Sequence, residues 1–209
     1  MTGGAELAGL LSRRGIADER VLDAMARVPR ELFVREQLRS RAYADRALPI
    51  GHGQTISQPF MVATICAALR LDGRERVLDV GTGSGYQAAV LAELADEVVT
   101  VERVPELAEQ ARETLERAGY GRVDVRVGDG TLGVPDRAPY DAIAVGAAAP
   151  EVPGALYDQL APGGRIAVPV GSLHDQWLEV VAKGPGGPSV ERSVPCRFVP
   201  LIGSEGFAE

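Results

Sequence analysis

The sequence predicts an α/β fold in which a doubly wound, mainly parallel sheet sits behind an N-terminal helical cap and continues into antiparallel strands near the C-terminus. Three observations predict it. From residue 76 onward, short apolar runs alternate with segments of helical spacing, the signature of βα units. The first run, Val77-Leu78-Asp79-Val80, passes straight into glycines at 81, 83 and 85, where a strand can turn sharply into a helix. Residues 5–40, by contrast, mix apolar and charged side chains at helical spacing.

In chain order, Leu7, Leu10 and Leu11, then Val21, Leu22, Met25 and Val28, then Leu32 and Phe33 mark two or three short helices, with Asp18 placed to cap the second and Pro29 to stop it or begin the next. From Ala47 to Pro59 the pattern dissolves into Pro49, Gly51 and Gly53 between polar residues, which predicts an ordered loop too long to be a turn. Helical spacing returns with Phe60, Met61, Val62, Ile65, Cys66 and Leu69. Strands are expected at about 76–80, Glu97–Val101, Val123–Val127, Tyr140–Val145 and Arg165–Val170. Between them lie a helix to about Ala95, another over Pro105–Ala118 with Pro105 in its first turn and Gly119 as its C-terminal cap, and a short one near Val152–Leu160. Gln176–Ala182 and Ser193–Val199 should pair antiparallel, because Gly184-Pro185-Gly186-Gly187-Pro188 is too short for a crossover. No internal repeat or low-complexity segment interrupts this order. One domain over 1–209 is expected, with 1–70 as helical cap and active-site loop and 71–209 as the α/β core.

Composition narrows the function classes. A chain of 209 residues can bury one ordinary core. With 45% hydrophobic and 24% charged residues it reads as a soluble globular protein, and no apolar run approaches the roughly 18 residues of a membrane span. Met1 to Leu11 lacks the basic start and apolar stretch of a signal peptide, so a cytoplasmic location is expected. Cys66 and Cys196 are too few and too far apart for a zinc site or a disulfide framework, and no metal is expected. A net charge of −7 without a basic cluster argues against nucleic acid and leaves protein or neutral substrates, acted on by a monomer.

The glycine spacing selects a cofactor. A dinucleotide fingerprint needs a glycine at position 86, and Tyr86 stands there, which argues against NAD or FAD. Asp79 followed by the G-x-G-x-G run resembles the first motif of S-adenosylmethionine-dependent methyltransferases, whose cofactor has no phosphate to neutralise. That resemblance implies a Rossmann-like methyltransferase sheet and places Asp79, Gly81, Thr82, Gly83 and Gly85 at the cofactor. Glu102, at the tip of the second strand, stands where a carboxylate would hold a ribose diol, or else serves the end of the next helix. In Gly128-Asp129-Gly130, Asp129 can accept from an exocyclic amine while Gly130 lets a flat base approach.

Two longer blocks are more specific. Leu48-Pro49-Ile50-Gly51-His52-Gly53-Gln54-Thr55-Ile56-Ser57-Gln58-Pro59 resembles the signature loop of protein-L-isoaspartate O-methyltransferases, and Tyr140-Asp141-Ala142-Ile143-Ala144-Val145-Gly146-Ala147-Ala148-Ala149-Pro150 resembles that family's fourth-strand motif. Leu160-Ala161-Pro162-Gly163-Gly164-Arg165 and Arg197-Phe198-Val199-Pro200-Leu201-Ile202-Gly203 continue the likeness, which runs from about Leu10 to Gly206. The resemblance implies methyl transfer from S-adenosylmethionine to the free α-carboxylate of isoaspartyl residues in damaged proteins and peptides, followed by succinimide formation and repair, with S-adenosylhomocysteine as product. It implies Ser57 as the catalytic residue, its hydroxyl donating to one carboxylate oxygen and aiming the other at the methyl group. Thr55, Ile56, Gln58, Val145, Gly146 and Ala147 are implied as substrate-binding residues.

The chemistry needs no strong base, because a carboxylate is already ionised at neutral pH, so His52 has no required role. Ser57 could also cap the helix that Pro59 begins. Ala147 to Ala149 carry no functional groups and would leave room for a peptide main chain. Phe60 and Val62 stand where some relatives have histidines, so contacts from those side chains do not carry over, and no cofactor contact is assigned to the tail beyond Leu201. Two other readings stay open: a related methyltransferase acting on an ordinary aspartate of a dedicated peptide partner, and a non-catalytic binder of damaged chains. Against the binder stand Asp79, Gly81, Gly83, Gly85 and Glu102, all present.

Overall fold

The structure, a computed structural model, describes residues 3–208. Helices α1 (Gly3–Arg13) and α2 (Glu19–Arg27) pack together, and Asp18 caps α2 by accepting from the Arg20 and Val21 amides at 3.0 and 3.2 Å. That is the role its place before an apolar-periodic run predicts. Two 3₁₀ turns follow, Arg30–Phe33 and Glu36–Arg41. The stretch expected to be a loop then forms an antiparallel hairpin, β1 (Leu48–Gly51) with β2 (Gln54–Ile56). Its strands are too short to show alternation, and a register shift between Pro49 and Gly51 breaks what there is. Helix α3 (Pro59–Leu69) completes the cap.

The remaining elements are β3 (Arg76–Val80), α4 (Tyr86–Leu94), β4 (Glu97–Glu102), α5 (Pro105–Arg117), β5 (Asp124–Val127), β6 (Tyr140–Val145), α6 (Gly154–Asp158), β7 (Leu160–Gly171), β8 (Gln176–Gly184) and β9 (Gly187–Cys196). The sheet order is β5-β4-β3-β6-β7-β8-β9, parallel from β5 to β7 and antiparallel in the last two pairings. The chain winds outward from β3 to β5 and then crosses back to lay β6 on the other side of β3. Strand order reverses there, and the carboxyl ends of β3 and β6 open the crevice in which such sheets bind ligands. Gly146, just past β6, donates its N–H to the Val80 carbonyl at 2.8 Å and holds the two strand ends together at the crevice floor.

Alternation along the strands divides the core. Leu78, Val80, Ile143 and Val145 pack on one face, and Val77, Ala142 and Ala144 on the other, against α4 and the cap. Strands buried on both faces read as unbroken apolar runs, which is why the sequence shows them. The C-terminal hairpin differs from expectation. Gly184 pairs opposite Gly187, so the turn is Pro185-Gly186 alone and β9 begins at Gly187 rather than Ser193. A two-residue turn lets pairing start at once, and half of the glycine-proline cluster becomes strand.

Candidate active site

At the ends of β3, β4 and β6 the chain encloses a cavity to which Gly81 and Gly83 present bare main chain and Glu102 presents a carboxylate. Glu102 is buried, accepting from the Gly83 amide on Oε2 at 2.9 Å and from the Val104 amide on Oε1 at 3.0 Å. Val104 is the N-cap residue of α5, so the helix-end role weighed for Glu102 is realised. Each oxygen still has a second acceptor position, enough for a vicinal diol.

Residues 199–202 also line the cavity, including Ile202, which lies in the tail to which the sequence assigns no cofactor contact. This segment is anchored by Ala148, whose carbonyl accepts from the Leu201 amide at 2.7 Å and whose N–H donates to the Val199 carbonyl at 2.8 Å. Ala148 and Ala149 therefore bond to the tail and to β7 instead of leaving room for a peptide, and Ala147 lines this cavity and not the cleft on the cap side. The tail's second anchor is Asp129. Its Oδ1 takes the Thr131 amide and hydroxyl at 2.9 and 2.6 Å, and its Oδ2 the Ser204 amide and hydroxyl at 2.7 and 2.9 Å. Burial works to raise this carboxyl, but the hydrogen bonds from Thr131 and Ser204 outweigh it and hold Asp129 below the usual carboxylate range. With four donors in place it has no acceptor left for an adenine amine, so Asp129 is a tether; Gly130 beside it does line the cavity.

Four other expected ligand residues, Asp79, Thr82, Gly85 and Val145, do not line this cavity. Asp79 is fully buried, with Oδ1 accepting from Gln87 Nε2 and Oδ2 from the Thr100 hydroxyl, both at 2.8 Å. It braces the glycine turn from beneath, and Thr82 joins the same network through Thr100 at 2.6 Å. Gly85 is buried with φ +87°, and a Cβ there would sit 3.1 Å from Leu115, so its task is the approach of α4 to α5. Val145 is wholly in the core. One residue that sequence reasoning misses is Gln87. It lines a recess together with Gly81, Thr82 and Ser57, and its Oε1 is buried without a partner. A single amide in a helix that is otherwise mostly apolar gives no sequence signal, yet here it offers an acceptor for an ammonium group. The cavity offers a diol acceptor and the apolar flanks of Val101 and Leu201, and the recess with Gln87 adjoins it at Gly81 and Gly83, an arrangement that fits S-adenosylmethionine.

Asp79 also carries a pH prediction. Burial pushes its pKa up to about 6, opposed only in part by the Gln87 and Thr100 hydrogen bonds and reinforced by the charge of Glu102. The folded state thus holds the proton more tightly than the unfolded chain, where an aspartate titrates at about 4. Stability from this group is present below about pH 4 and is lost as pH rises through about 6, at a cost of about 3 kcal/mol at most. Urea denaturation should show the wild type losing ground to Asp79→Asn between about pH 4 and pH 7. A pH-independent difference would contradict this placement of the carboxyl.

On the cap side an open cleft of about 480 Å³ is lined by Thr55, Ser57 and Gln58 at the end of the hairpin, by Gly146, and by residues 195–199. The Ser57 hydroxyl has no hydrogen-bond partner among the described residues. It does not cap α3. Gln58 is the N-cap residue and makes no side-chain cap; Asp45 supplies that function, taking the Phe60 amide on Oδ1 at 2.8 Å and Gln58 Nε2 on Oδ2 at 3.1 Å, with Arg14 paired to the same carboxylate. Ile56 is buried opposite Leu48 and contributes to the recess floor. Thr55 and Gly146 line both the cofactor cavity and the cleft.

A sheet that reverses at β3 and β6, a G-x-G-x-G turn after β3 and a carboxylate at the tip of β4 define the class: a Rossmann-like, S-adenosylmethionine-dependent methyltransferase. Comparison with known proteins then gives the family. The profile described as Protein-L-isoaspartate(D-aspartate) O-methyltransferase (PCMT) matches residues 4–206, and the chain belongs to that family. Protein-L-isoaspartate O-methyltransferase 2 of Marinobacter nauticus is 57% identical, over 93% of this chain and 90% of that protein. The protein-L-isoaspartate O-methyltransferase of Methanothrix thermoacetophila is 55% identical, over 95% of each. A structure from Plasmodium falciparum, described as a protein-L-isoaspartate O-methyltransferase in complex with S-adenosyl-L-homocysteine, matches with a TM-score of 0.85 at 27% identity over 97% of this chain and 99% of that one.

Proposed function

We propose that this protein transfers a methyl group from S-adenosylmethionine to the free α-carboxylate of L-isoaspartyl residues in damaged proteins and peptides, starting their repair through succinimide. The observation that carries this reading is the shared wall: Thr55, Gly146 and Val199 bound both the cofactor cavity and the cleft that holds the Ser57 hydroxyl, which has no partner among the described residues. The cleft and the cavity adjoin along these residues, so a carboxylate held in the cleft would stand beside a cofactor held in the cavity, with its oxygen open to the methyl group.

The bound sulfonium supplies an already activated methyl group, and the acceptor carboxylate is ionised at neutral pH. This chain's residues therefore need to bind, orient and exclude water rather than move a proton. Ser57 donates to one carboxylate oxygen and leaves the other free to attack; the C–O bond forms as the C–S bond breaks, and the electron pair returns to sulfur. Glu102 holds the ribose diol, Gln87 accepts from the ammonium end, and Gly81 and Gly83 allow close approach to the main chain. Within this reading the enzyme acts as a cytoplasmic monomer, as one methyltransferase domain over 1–209, without nucleic acid; no helix among the described residues is long and apolar enough to cross a membrane.

Incubation with methyl-labelled S-adenosylmethionine and a matched pair of peptides, one isoaspartyl and one aspartyl, tests the reading. Base-labile label should accumulate on the isoaspartyl peptide alone. Equal labelling of the pair, or none, would reject it.

A further inference from the structure

Arg30 is a buried charge that the chemistry above does not use. It sits in the 3₁₀ turn Arg30–Phe33 at 0% exposure. Its Nε donates to the Ala42 carbonyl at 2.8 Å, its Nη2 donates to the Ser57 carbonyl at 2.7 Å, and its Nη1 is buried without a partner. The guanidinium lies over the Tyr86 ring, 4.5 Å from its centre, and Tyr86 opens α4 directly after the glycine run. Among the described residues no carboxylate pairs with it; the neighbouring Glu31 bonds the Tyr43 hydroxyl instead. Burial lowers the Arg30 pKa, but a guanidinium starts so high that it stays charged.

A full positive charge is thus held in the protein interior by two carbonyl oxygens and a ring face. Such a charge is costly to bury unless a counter-ion arrives. The residue whose main chain Arg30 grips, Ser57, lines the open cleft where an anion could enter. We propose that Arg30 is a positioning residue that fixes the Ser57 main chain and whose uncompensated charge favours a ligand bringing a carboxylate to the Ser57 hydroxyl, an inference that rests on Ser57 meeting the substrate. The methyl ester formed in the reaction is neutral, so the same charge attracts substrate and releases product.

The test measures binding of an isoaspartyl peptide and of its α-methyl ester to the enzyme loaded with S-adenosylhomocysteine, alongside turnover, for wild type, Arg30→Met and Arg30→Lys. Wild type should bind the carboxylate peptide about tenfold more tightly than the ester, a preference that Arg30→Met should reduce to about onefold. Arg30→Lys should keep most of the preference but lose turnover by about tenfold or more, because an ammonium lacks the planar fork that spans Ala42 and Ser57. Affinity for S-adenosylhomocysteine within about threefold of wild type shows that the sheet is intact in each variant. An unchanged preference in Arg30→Met overturns the proposal, as does unchanged turnover in Arg30→Lys, which decides the matter if Arg30→Met does not fold. A wild type that binds isoaspartyl and aspartyl peptides alike would overturn the functional reading and this inference with it, whereas selective wild type with indifferent variants overturns this inference alone.

Discussion

Ser57→Ala should lower turnover of an isoaspartyl peptide about 100-fold while changing affinity for S-adenosylhomocysteine by no more than about twofold, the scale of losing one preorganised donor at the reacting group. Among the described residues the hydroxyl has no partner, and it faces the cleft, so its loss should remove a charge-assisted bond to the carboxylate without leaving one of those groups unpaired. The cofactor contacts come from other elements, which is why binding and turnover should separate. Stability supplies a control. Loss of a helix cap typically costs about 1 kcal/mol, but α3 is capped by Asp45, so the melting temperature of Ser57→Ala should stay close to that of wild type. Turnover with saturating peptide, calorimetric titration of S-adenosylhomocysteine and a thermal melt complete the measurement. Undiminished turnover would remove Ser57 from the chemistry.

Glu102→Ala should weaken S-adenosylhomocysteine binding by about 100-fold or more, since hydrogen bonds to a charged group contribute about 1.5–3 kcal/mol each and a diol makes two. The alanine also leaves the Gly83 amide, bonded to Glu102 at 2.9 Å, without its partner, so the glycine turn loses a restraint at the cofactor. Glu102→Gln should fall between, because an amide keeps one oxygen acceptor and turns the other position into a donor. At saturating cofactor both variants should retain the peptide KM of wild type, the cleft being built elsewhere. A loss under about threefold for Glu102→Ala would mean that the diol is held by something else.

Much of this molecule is legible in its amino-acid sequence, and the reasons are physical. Leu78, Val80, Ile143 and Val145 stand in strands buried on both faces, and nothing but continuous apolar runs serves that environment. Glu102 is legible as a site residue because a carboxylate at a strand tip beside a glycine turn faces the crevice, even while it serves the end of α5. Asp79 shows the limit of the same logic: the motif locates the residue correctly, but strand alternation turns its side chain under the turn, toward Thr100 and Gln87. Asp129 looks like a base-binding carboxylate in the sequence because its partner Ser204 lies 75 residues away and no local pattern announces it. Arg30 is invisible for the same reason. Its partners Ala42 and Ser57 are 12 and 27 residues distant, and an arginine beside a helical stripe looks like surface. The hairpin of β1 and β2 escapes notice because a bulged pair of such short strands carries proline and glycine where strands usually carry β-branched residues.

The shared wall has an evolutionary consequence. The cavity is built from the sheet ends and the tail, the cleft from the hairpin end and the segment after β9, and the two territories meet at Thr55, Gly146 and Val199. Substitutions around the cleft can therefore drift toward a new acceptor while the donor site stays intact, provided those three positions hold. A scaffold divided in this way can diversify by trading one half at a time, with Gly146 as the hinge of inheritance between them.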